Sequence, residues 1–226
     1  MRRAVIVVGC SYGDEGKGLA AAFSARRLGG RCLNVLINGG AQRGHTVDLP
    51  DGRRHVFRHY GSAALSGAVT YADEDYIVNP PAWAREREEL AAQFGCDPPI
   101  LVSDRCRVSL PWDMMLGQIV EESRGDARHG SCGMGIYETR RRFEDTDWAL
   151  RFGELARTGE GGFSDYCRRV RDEYLPKRLT EEGAAAGEGW KEILRDPGIV
   201  RHAWDDLEEM REKARVCGSW EEAAQP

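Results

Sequence analysis

The sequence has no long hydrophobic run, no paired cysteines and no excess of basic residues, and each absence excludes a class of protein. No stretch approaches the roughly 20 apolar residues of a membrane-spanning helix, and the apolar run at residues 4–8 is too short for a signal-peptide core. The seven cysteines are scattered without a Cys-x-x-Cys pair, which argues against a disulfide framework and a zinc site. The formal charge of −5 disfavours a nucleic-acid polymer as partner. We therefore expect a cytoplasmic protein with neither a membrane nor a nucleic acid as partner.

The 226 residues, 41% apolar and 31% charged, have the composition of a folded globular chain. Residues 3–9 are a β-branched run ended by glycine, and we expect a strand buried on both faces. Residues 19–28 favour a helix stopped by Gly29-Gly30, and residues 31–37 predict a second strand. A crossover of this length requires two parallel strands in one sheet. The chain therefore belongs to the α/β class.

The rest of the chain predicts further strands and helices around a mainly parallel central sheet flanked by helices. We expect a hairpin at 46–49 and 55–58, helices from Pro80 to Phe94 and from Pro111, a strand at 100–103, helical segments around 146–157, 164–178 and 201–215, and a frayed tail from Val216. Residues 1–155 are predicted to be a nucleotide-binding catalytic core. Residues 156–226 are predicted to be a helical C-terminal region packed on that core.

A glycine-rich segment, Gly9-Cys-Ser-Tyr-Gly-Asp-Glu-Gly-Lys-Gly18, stands between the first expected strand and helix. Glycines let backbone N–H groups approach a phosphate, the helix N-terminus adds a positive dipole end, and Lys17 adds a point charge. The segment is not a Walker A loop, because its glycine spacing is longer and Gly18 replaces the Mg²⁺-binding hydroxyl residue. Asp14 can act instead as an oxygen ligand or abstract a proton. We therefore predict a P-loop-like phosphate site.

Two more segments carry candidate chemistry. Asn38-Gly-Gly-Ala-Gln-Arg-Gly-His-Thr46 ends the second expected strand, and ligands of open α/β sheets bind at such carboxyl ends. We expect this loop and the first one to face one crevice, where His45 can donate a proton to an oxygen that gains charge during phosphoryl transfer. The third segment, Gly130-Ser-Cys-Gly-Met-Gly-Ile136, gives by itself only a weak phosphate signal and fits a flexible loop equally well.

Together, and in this order, the three segments resemble those of the adenylosuccinate synthetase family. The family's first loop reads Trp-Gly-Asp-Glu-Gly-Lys-Gly-Lys, and Tyr12-Gly-Asp-Glu-Gly-Lys-Gly-Leu19 differs only at its ends. The second, Gly-Gly-His-Asn-Ala-Gly-His-Thr, is similar to Gly39-Gly-Ala-Gln-Arg-Gly-His-Thr46. The third, Gly-Thr-Thr-Gly-Arg-Gly-Ile, is similar to Gly130-Ser-Cys-Gly-Met-Gly-Ile136. The resemblance covers about residues 3–155.

The resemblance implies the catalytic residues, the cofactors and the partners. Asp14 would be the base and, with the carbonyl of Gly44, a Mg²⁺ ligand, while His45 and Lys17 would act on the nucleotide phosphate. The nucleotide- and phosphate-binding residues that it implies are Gly13, Glu15, Gly16, Lys17, Gly18, Gln42, Gly44, Thr46, Ser131, Cys132 and Arg141. One of Arg140 to Arg142 would correspond to an arginine that crosses to the partner subunit, which implies a homodimer.

In that family, GTP phosphorylates the 6-oxo group of IMP, and the amino group of aspartate then displaces the phosphate. Here Met134 stands in the place of an arginine and Cys132 in the place of a threonine, and the chain is shorter than the family's members. We expect a shortened ligase that uses Mg²⁺ and GTP or ATP on an IMP-like nucleotide, with an aspartate-like amine. Three alternatives stay open: the same chemistry on a non-standard nucleotide or with another amine donor, in a specialised or viral pathway; a catalytically weak nucleotide-binding accessory subunit; and a simple NTP hydrolase.

Overall fold

The structure is a computed structural model that describes residues 3–29, 32–155 and 157–224. The strands are β1 (Leu33–Leu36), β2 (His45–Asp48), β3 (Arg54–Phe57), β4 (Val69–Ala72), β5 (Ile77–Val78), β6 (Ile100–Ser103), β7 (Arg107–Val108) and β8 (Arg215–Cys217). The helices are α1 (Lys17–Arg27), α2 (Pro80–Phe94), α3 (Pro111–Ser123), α4 (Ile136–Glu144), α5 (Phe152–Leu155), α6 (Glu160–Arg169), α7 (Leu175–Glu181), α8 (Glu188–Arg195), α9 (Pro197–Lys213) and α10 (Trp220–Ala223).

Four strands form one parallel sheet in the order β1, β4, β6, β8. Leu36 lies opposite Ala72, Ala72 opposite Val102, and Val102 opposite Val216. Every residue of β6 is buried, as expected for an inner strand of a sheet covered on both faces. The predicted α/β class, with a mainly parallel sheet flanked by helices, is confirmed.

The elements with clear terminal signals lie where the sequence predicts them. β2 and β3 form the expected antiparallel hairpin, with Thr46 opposite Val56. At the start of α2, the Asn79 side chain accepts a hydrogen bond from the N–H of Ala82 at 3.0 Å, and Gly95 ends the helix with a left-handed φ of 64°. α3 begins at Pro111 and buries its apolar stripe, as predicted.

The C-terminal helices pack on the same core as the N-terminal part. Trp83 of α2 and Leu207 and Met210 of α9 belong to one continuous cluster of buried apolar side chains. Arg87 Nη1 of α2 also pairs with Glu209 Oε1 of α9 at 2.8 Å. The end of the chain is therefore held to the sheet and α2 by apolar contacts and by charge.

Residues 216–224 are not frayed, although the sequence predicts a frayed tail from Val216. Residues Arg215–Cys217 form β8, which pairs with β6 in parallel, and Cys217 is buried. A segment of three residues shows too little periodicity to predict a strand. Pairing with β6 and burial, rather than local preference, determine that this segment is a strand. The sequence did not predict helices α4 and α8 either, because a glycine cluster precedes each of them in the chain.

Residues 3–10 also differ from the prediction, because they form no strand. The side chains of Val5, Ile6 and Val8 are 59%, 81% and 73% exposed. A β-branched run has the preference for a strand, but a strand also needs a hydrogen-bonded neighbour, and β1 pairs only with β4. The expected parallel pairing of residues 3–9 with β1 is therefore wrong, although β1 and α1 are confirmed. Gly30 and Arg31, expected at the boundary between them, lie outside the described residues.

Candidate nucleotide-binding site

The first loop, residues 9–16, reaches α1 through an unusual backbone. Gly13 and Gly16 have φ angles of 127° and 72°, and Asp14 has a φ of 51°. Among the described residues, Asp14 is the one non-glycine residue in this left-handed region, which Asp tolerates better than most side chains. Such conformations are often found at functional sites. The exposed Asp14 carboxylate therefore lies in the loop that is predicted to bind a phosphate.

The carboxylate of Glu15 occupies the donors of this loop. Its Oε1 accepts the N–H groups of Cys10 at 2.6 Å and of Ser11 at 2.5 Å, and its Oε2 pairs with Lys17 Nζ at 2.5 Å. Lys17, the largest influence, and the two N–H groups lower the pKa of Glu15 below its usual range. A side chain at Gly9 would collide with this carboxylate. Two backbone N–H groups and an ammonium form the donor set of a phosphate site, and here they hold a carboxylate.

His45 opens β2 and lies half-buried beside the first loop. Burial, followed by the positive charges of Arg43 and Lys17, lowers the pKa of His45 to about 4. The imidazole is therefore neutral at neutral pH in the protein without a nucleotide. A neutral ring still donates one N–H hydrogen bond, and a phosphate placed next to it would raise its pKa.

Two glycines allow close contacts between the three glycine-rich segments. A β-carbon placed on Gly18 would lie 2.8 Å from the β-carbon of His45, so α1 and β2 approach each other as closely as a glycine allows. A β-carbon on Gly40 would lie 2.6 Å from Ile136 Cδ1, the first residue of α4. The first segment, residues 9–18, therefore contacts the second, residues 38–46, at Gly18 and His45, and the second contacts the third, residues 130–136, at Gly40 and Ile136.

The other predicted residues of the second loop lie around His45. Gln42 and Gly44 are exposed, and a β-carbon on Gly44 would lie 3.1 Å from Val56 Cγ1. Thr46 is the second residue of β2 and pairs with Val56. Arg43 lies in the second motif, and the sequence predicts no role for it. Its Nη2 donates to the carbonyl of Tyr60 at 2.9 Å, which fixes its charge beside His45.

The third loop is more ordered than a flexible linker. Gly130, Gly133 and Gly135 have φ angles of 76°, 71° and 68°, and Gly135 directly precedes α4. A β-carbon on Gly135 would lie 2.7 Å from the backbone nitrogen of Met114, so the loop packs closely on α3. Ser131 and Cys132, the predicted phosphate contacts, are exposed.

Glu121 of α3 is a contact of this loop that sequence reasoning missed. Its Oε2 accepts the N–H groups of Gly130 at 3.0 Å and of Ser131 at 3.2 Å, and its Oε1 accepts the N–H of His129 at 3.4 Å. No local sequence signal reveals such a contact, because the partners are eight to ten residues apart along the chain.

Of the three consecutive arginines on α4, the structure removes Arg142 as a candidate for reaching a partner subunit. Arg142 is fully buried, and its guanidinium bonds both carboxylate oxygens of Asp113, at 2.9 and 2.8 Å. Arg140 is exposed, and Arg141 pairs with Glu144 one helical turn further on. The alternation follows from helical geometry, which turns neighbouring residues to different faces.

Asp14 offers a single carboxylate to a metal ion. Within residues 3–29, 32–155 and 157–224, no three or more His, Cys, Asp or Glu side chains form a cluster that could hold a metal. Mg²⁺ typically takes only one or two protein carboxylates and completes its shell with phosphate oxygens and water. One exposed carboxylate in a phosphate loop fits Mg²⁺ that is bound together with a nucleotide.

In the described part of the chain, no helix is both long and apolar enough to cross a membrane.

The parallel sheet and the lysine-bearing glycine loop before α1 define an α/β protein with a candidate phosphate-binding loop. The second glycine-rich segment contacts Gly18 of α1, and the third contacts the second. The sequence profile of the adenylosuccinate synthetase family matches residues 6–179, so the chain belongs to that family. The resemblance drawn from the three motifs is confirmed.

Curated relatives share part of their length with this chain. The adenylosuccinate synthetase of Bordetella pertussis is 31% identical over 138 residues, which are 60% of this chain and 31% of the relative. That of Neisseria gonorrhoeae is 32% identical over 139 residues, again 60% of this chain and 31% of the relative. The matched part of the chain thus spans about a third of the length of these relatives.

Two solved structures share the fold. The fully ligated adenylosuccinate synthetase of Plasmodium falciparum superposes with a TM-score of 0.67 at 14% identity, covering 93% of this chain and 45% of that one. The succinoaminodeoxyadenylate synthetase of cyanophage S-2L, bound to dGMP and dATP, superposes with a TM-score of 0.50 at 19% identity, covering 75% and 42%. The larger coverage by structure than by sequence shows that the fold continues beyond the segments that retain sequence identity.

Proposed function

We propose that the chain has the activity of a ligase of the adenylosuccinate synthetase type. It transfers a phosphoryl group from GTP or ATP to the oxo group of a purine nucleotide, and the amine of an amino acid such as aspartate then displaces the phosphate. The observation that carries this proposal is the close approach of Gly18 to His45, which sets the candidate acid His45 close enough to Lys17 for the lysine charge to lower its pKa.

In the first step, Asp14 removes the ring proton, and the oxo oxygen attacks the γ-phosphorus of the NTP while the NDP leaves. Lys17 and the N–H groups of the first loop hold phosphate oxygens, and His45 donates a hydrogen bond to an oxygen that gains charge. In the second step, the amine attacks the activated ring carbon and inorganic phosphate leaves. Positioning and electrostatics supply most of the rate in such a transfer.

Binding of a phosphate requires Glu15 to release the donors that it occupies. Its carboxylate then leaves the N–H groups of Cys10 and Ser11 and the ammonium of Lys17 to the nucleotide. Asp14 and the carbonyl of Gly44 would hold Mg²⁺, which would supply positive charge to the phosphates. Gly13, Gly16, Gly18, Gln42 and Thr46 border the nucleotide, whereas Ser131, Cys132 and Arg141 border the phosphate of the acceptor.

A non-standard acceptor is the second candidate. Cys132 and Met134 in the third loop differ from the family's motif, and the phage enzyme that shares the fold binds dGMP. The same chemistry on a purine deoxynucleotide, with aspartate or another amino acid as amine, would fit these differences.

The test is a reaction panel. The protein is incubated with Mg²⁺, GTP or ATP, IMP or dGMP, and each of several amino acids, and phosphate release and the adduct mass are measured. We expect phosphate release that depends on both the acceptor and the amine. Asp14→Asn, which keeps a side chain tolerant of the left-handed φ, should lower the rate by roughly 10²- to 10⁴-fold because it removes the base.

The outcomes separate the remaining alternatives. Phosphate release that needs neither acceptor nor amine identifies an NTP hydrolase instead. Tight nucleotide binding with the same negligible turnover in the wild type and Asp14→Asn identifies an accessory subunit.

We also propose a homodimer in which Arg140 or Arg141 reaches the partner's site. Light scattering that finds a strict monomer at the assay concentration would refute this part. The division into a catalytic core, residues 1–155, and a C-terminal region, residues 156–226, stays a prediction.

A further inference from the structure

The third loop owes its shape to one carboxylate outside it. Glu121 lies in the last turn of α3, is 13% exposed, and accepts three successive backbone N–H groups, those of His129, Gly130 and Ser131. A carboxylate that bridges consecutive N–H groups fixes the peptide planes between them, because each hydrogen bond limits the rotation of its donor.

The charge of this carboxylate is held in place from the other side by Arg124. Arg124 Nη1 pairs with Glu121 Oε1 and lies 3.2 Å from His129 Nδ1, and its Nη2 lies 3.6 Å from Glu182 Oε2. The N–H of Ser131, the largest influence, and Arg124 outweigh partial burial and lower the pKa of Glu121 to about 2. Glu121 is therefore a permanent anion at any pH at which the protein works.

The hydrogen bonds divide the loop into two halves. The N–H groups of residues 129–131 are taken by Glu121, whereas the N–H of Gly133 donates to Ser131 Oγ at 3.2 Å. The left-handed Gly133 and Gly135 then lead into α4, whose N-terminus carries the positive end of the helix dipole. A second anion is repelled from the half near Glu121 and attracted to the half near α4.

We infer that Glu121 is a positioning residue that excludes the acceptor's phosphate from the backbone N–H groups of residues 129–131 and directs it to residues 132–136 and the hydroxyl of Ser131. This inference rests on the proposed function, in which the third loop borders that phosphate. Glu121 does not touch the nucleotide. It acts through the backbone that it orders and through its fixed charge.

The test compares Glu121→Gln with Glu122→Gln. The control removes the same charge one residue further along α3, and its amide oxygen can keep the hydrogen bond from Trp190 Nε1 that Glu122 accepts at 2.6 Å. We expect Glu121→Gln to raise the Kd for IMP or dGMP, measured by calorimetry, by about tenfold, because a loop that holds its binding shape about a tenth of the time binds about tenfold more weakly. The Kd for GTP or ATP should stay unchanged, and hydrogen exchange should quicken only at residues 129–131.

The outcomes distinguish this inference from the proposed function. If both variants bind the monophosphates as the wild type does, or if the wild type binds none, the positioning role is refuted. If Glu121→Gln weakens NTP binding equally, or lowers the melting temperature with uniform loss of exchange protection, the residue is merely structural. If the monophosphate effect appears but the wild type transfers no phosphoryl group, the positioning role stands and the proposed reaction fails.

Discussion

His45 shows how a single residue is adjusted by its neighbours. Burial and the charges of Arg43 and Lys17 keep its ring neutral, with a pKa of about 4. A neutral histidine is a weak proton donor but a good hydrogen-bond donor, and it becomes more basic when an anion arrives. The binding of the phosphate thus prepares the ring for the acid role that we propose.

The first prediction concerns this pKa. Lys17→Met should raise the pKa of His45, because it removes one of the two nearby positive charges and leaves burial as it was. The measurement is an NMR titration of the His45 ring between pH 3 and pH 8. Lys191→Met is the control, since Lys191 pairs with Glu188 on α8, and it should leave the His45 titration unchanged. An unchanged His45 pKa in Lys17→Met would contradict the prediction.

At the scale of elements, α1 and β2 are held at a separation that only glycine permits. Gly18 lies within α1 with an ordinary helical backbone, so an alanine there would be favoured by helix propensity. The β-carbon would, however, lie 2.8 Å from His45 Cβ and 3.0 Å from the His45 backbone. The steric cost must therefore appear as a displacement of His45 from the first loop.

The second prediction follows from this contact. Gly18→Ala should destabilise the protein by about 1–3 kcal/mol, as overpacking does, and should weaken nucleotide binding. Gly161→Ala is the matched control, because Gly161 also lies in a helix, α6, and nothing lies within 4 Å of its would-be β-carbon. Chemical denaturation should show that the control is as stable as the wild type or up to about 1 kcal/mol more stable. Equal stability of both variants would show that α1 and β2 can separate freely.

The third prediction concerns the joint between α3 and α4. Arg142 bonds Asp113 of α3, the carbonyl of Val108 at 2.7 Å and Tyr166 Oη of α6 at 2.6 Å, all in the interior. Arg142→Leu leaves the Asp113 carboxylate buried without its partner and should destabilise the protein by about 3–5 kcal/mol.

Arg141→Leu, which removes the exposed pair with Glu144, should cost less than about 1 kcal/mol by the same denaturation measurement. A loss of similar size in both variants would show that the α3–α4 joint does not depend on the buried pair.

At the scale of the whole molecule, a buried histidine makes stability depend on pH. His59 is completely buried, and its Nε2 accepts the N–H of Asn79 at 2.9 Å, which a protonated ring could not do. Burial lowers the pKa of His59, and the nearby Glu86 carboxylate opposes this only in part. The folded protein therefore binds this proton less readily than the unfolded chain does.

The fourth prediction concerns the direction in which stability changes with pH. The stabilisation from neutral His59 is complete above the unfolded pKa of about 6.5 and declines as the pH falls below it. The melting temperature should drop between pH 7 and pH 5, and His59→Gln, which keeps an acceptor but does not titrate, should flatten that drop. His202→Gln serves as the control, since His202 is exposed on α9 and should leave the drop as in the wild type. A wild-type melting temperature that stays constant over this range would refute the prediction.

The sequence predicted the elements whose ends carry their own signals. Pro80 and Gly95 bound α2, and Pro111 begins α3, because the restricted φ of proline and the left-handed freedom of glycine act locally. The candidate residues of the three glycine-rich segments come from their motifs and stay predictions, and the structure adds the contacts of Gly18 with His45 and of Gly40 with Ile136.

What the sequence could not predict depends on partners distant in the chain. Residues 215–217 form strand β8 because they pair with β6. Residues 3–10 form no strand, because no strand of the described residues pairs with them. The hydrogen bonds of the Glu15 and Glu121 carboxylates to N–H groups of the glycine-rich segments were not expected, because the partners lie four to ten residues apart along the chain.

The carboxylate of Glu15 among the donors of the first loop makes ligand binding an exchange of anions. A chloride ion carries the same single charge as the Glu15 carboxylate, but it is not covalently attached to the loop. Replacing the carboxylate by chloride therefore brings no gain in binding free energy. A nucleotide triphosphate brings several charges and more oxygens to the same N–H groups and to Lys17. We therefore expect the loop to bind multiply charged ligands in preference to the ions of simple salts.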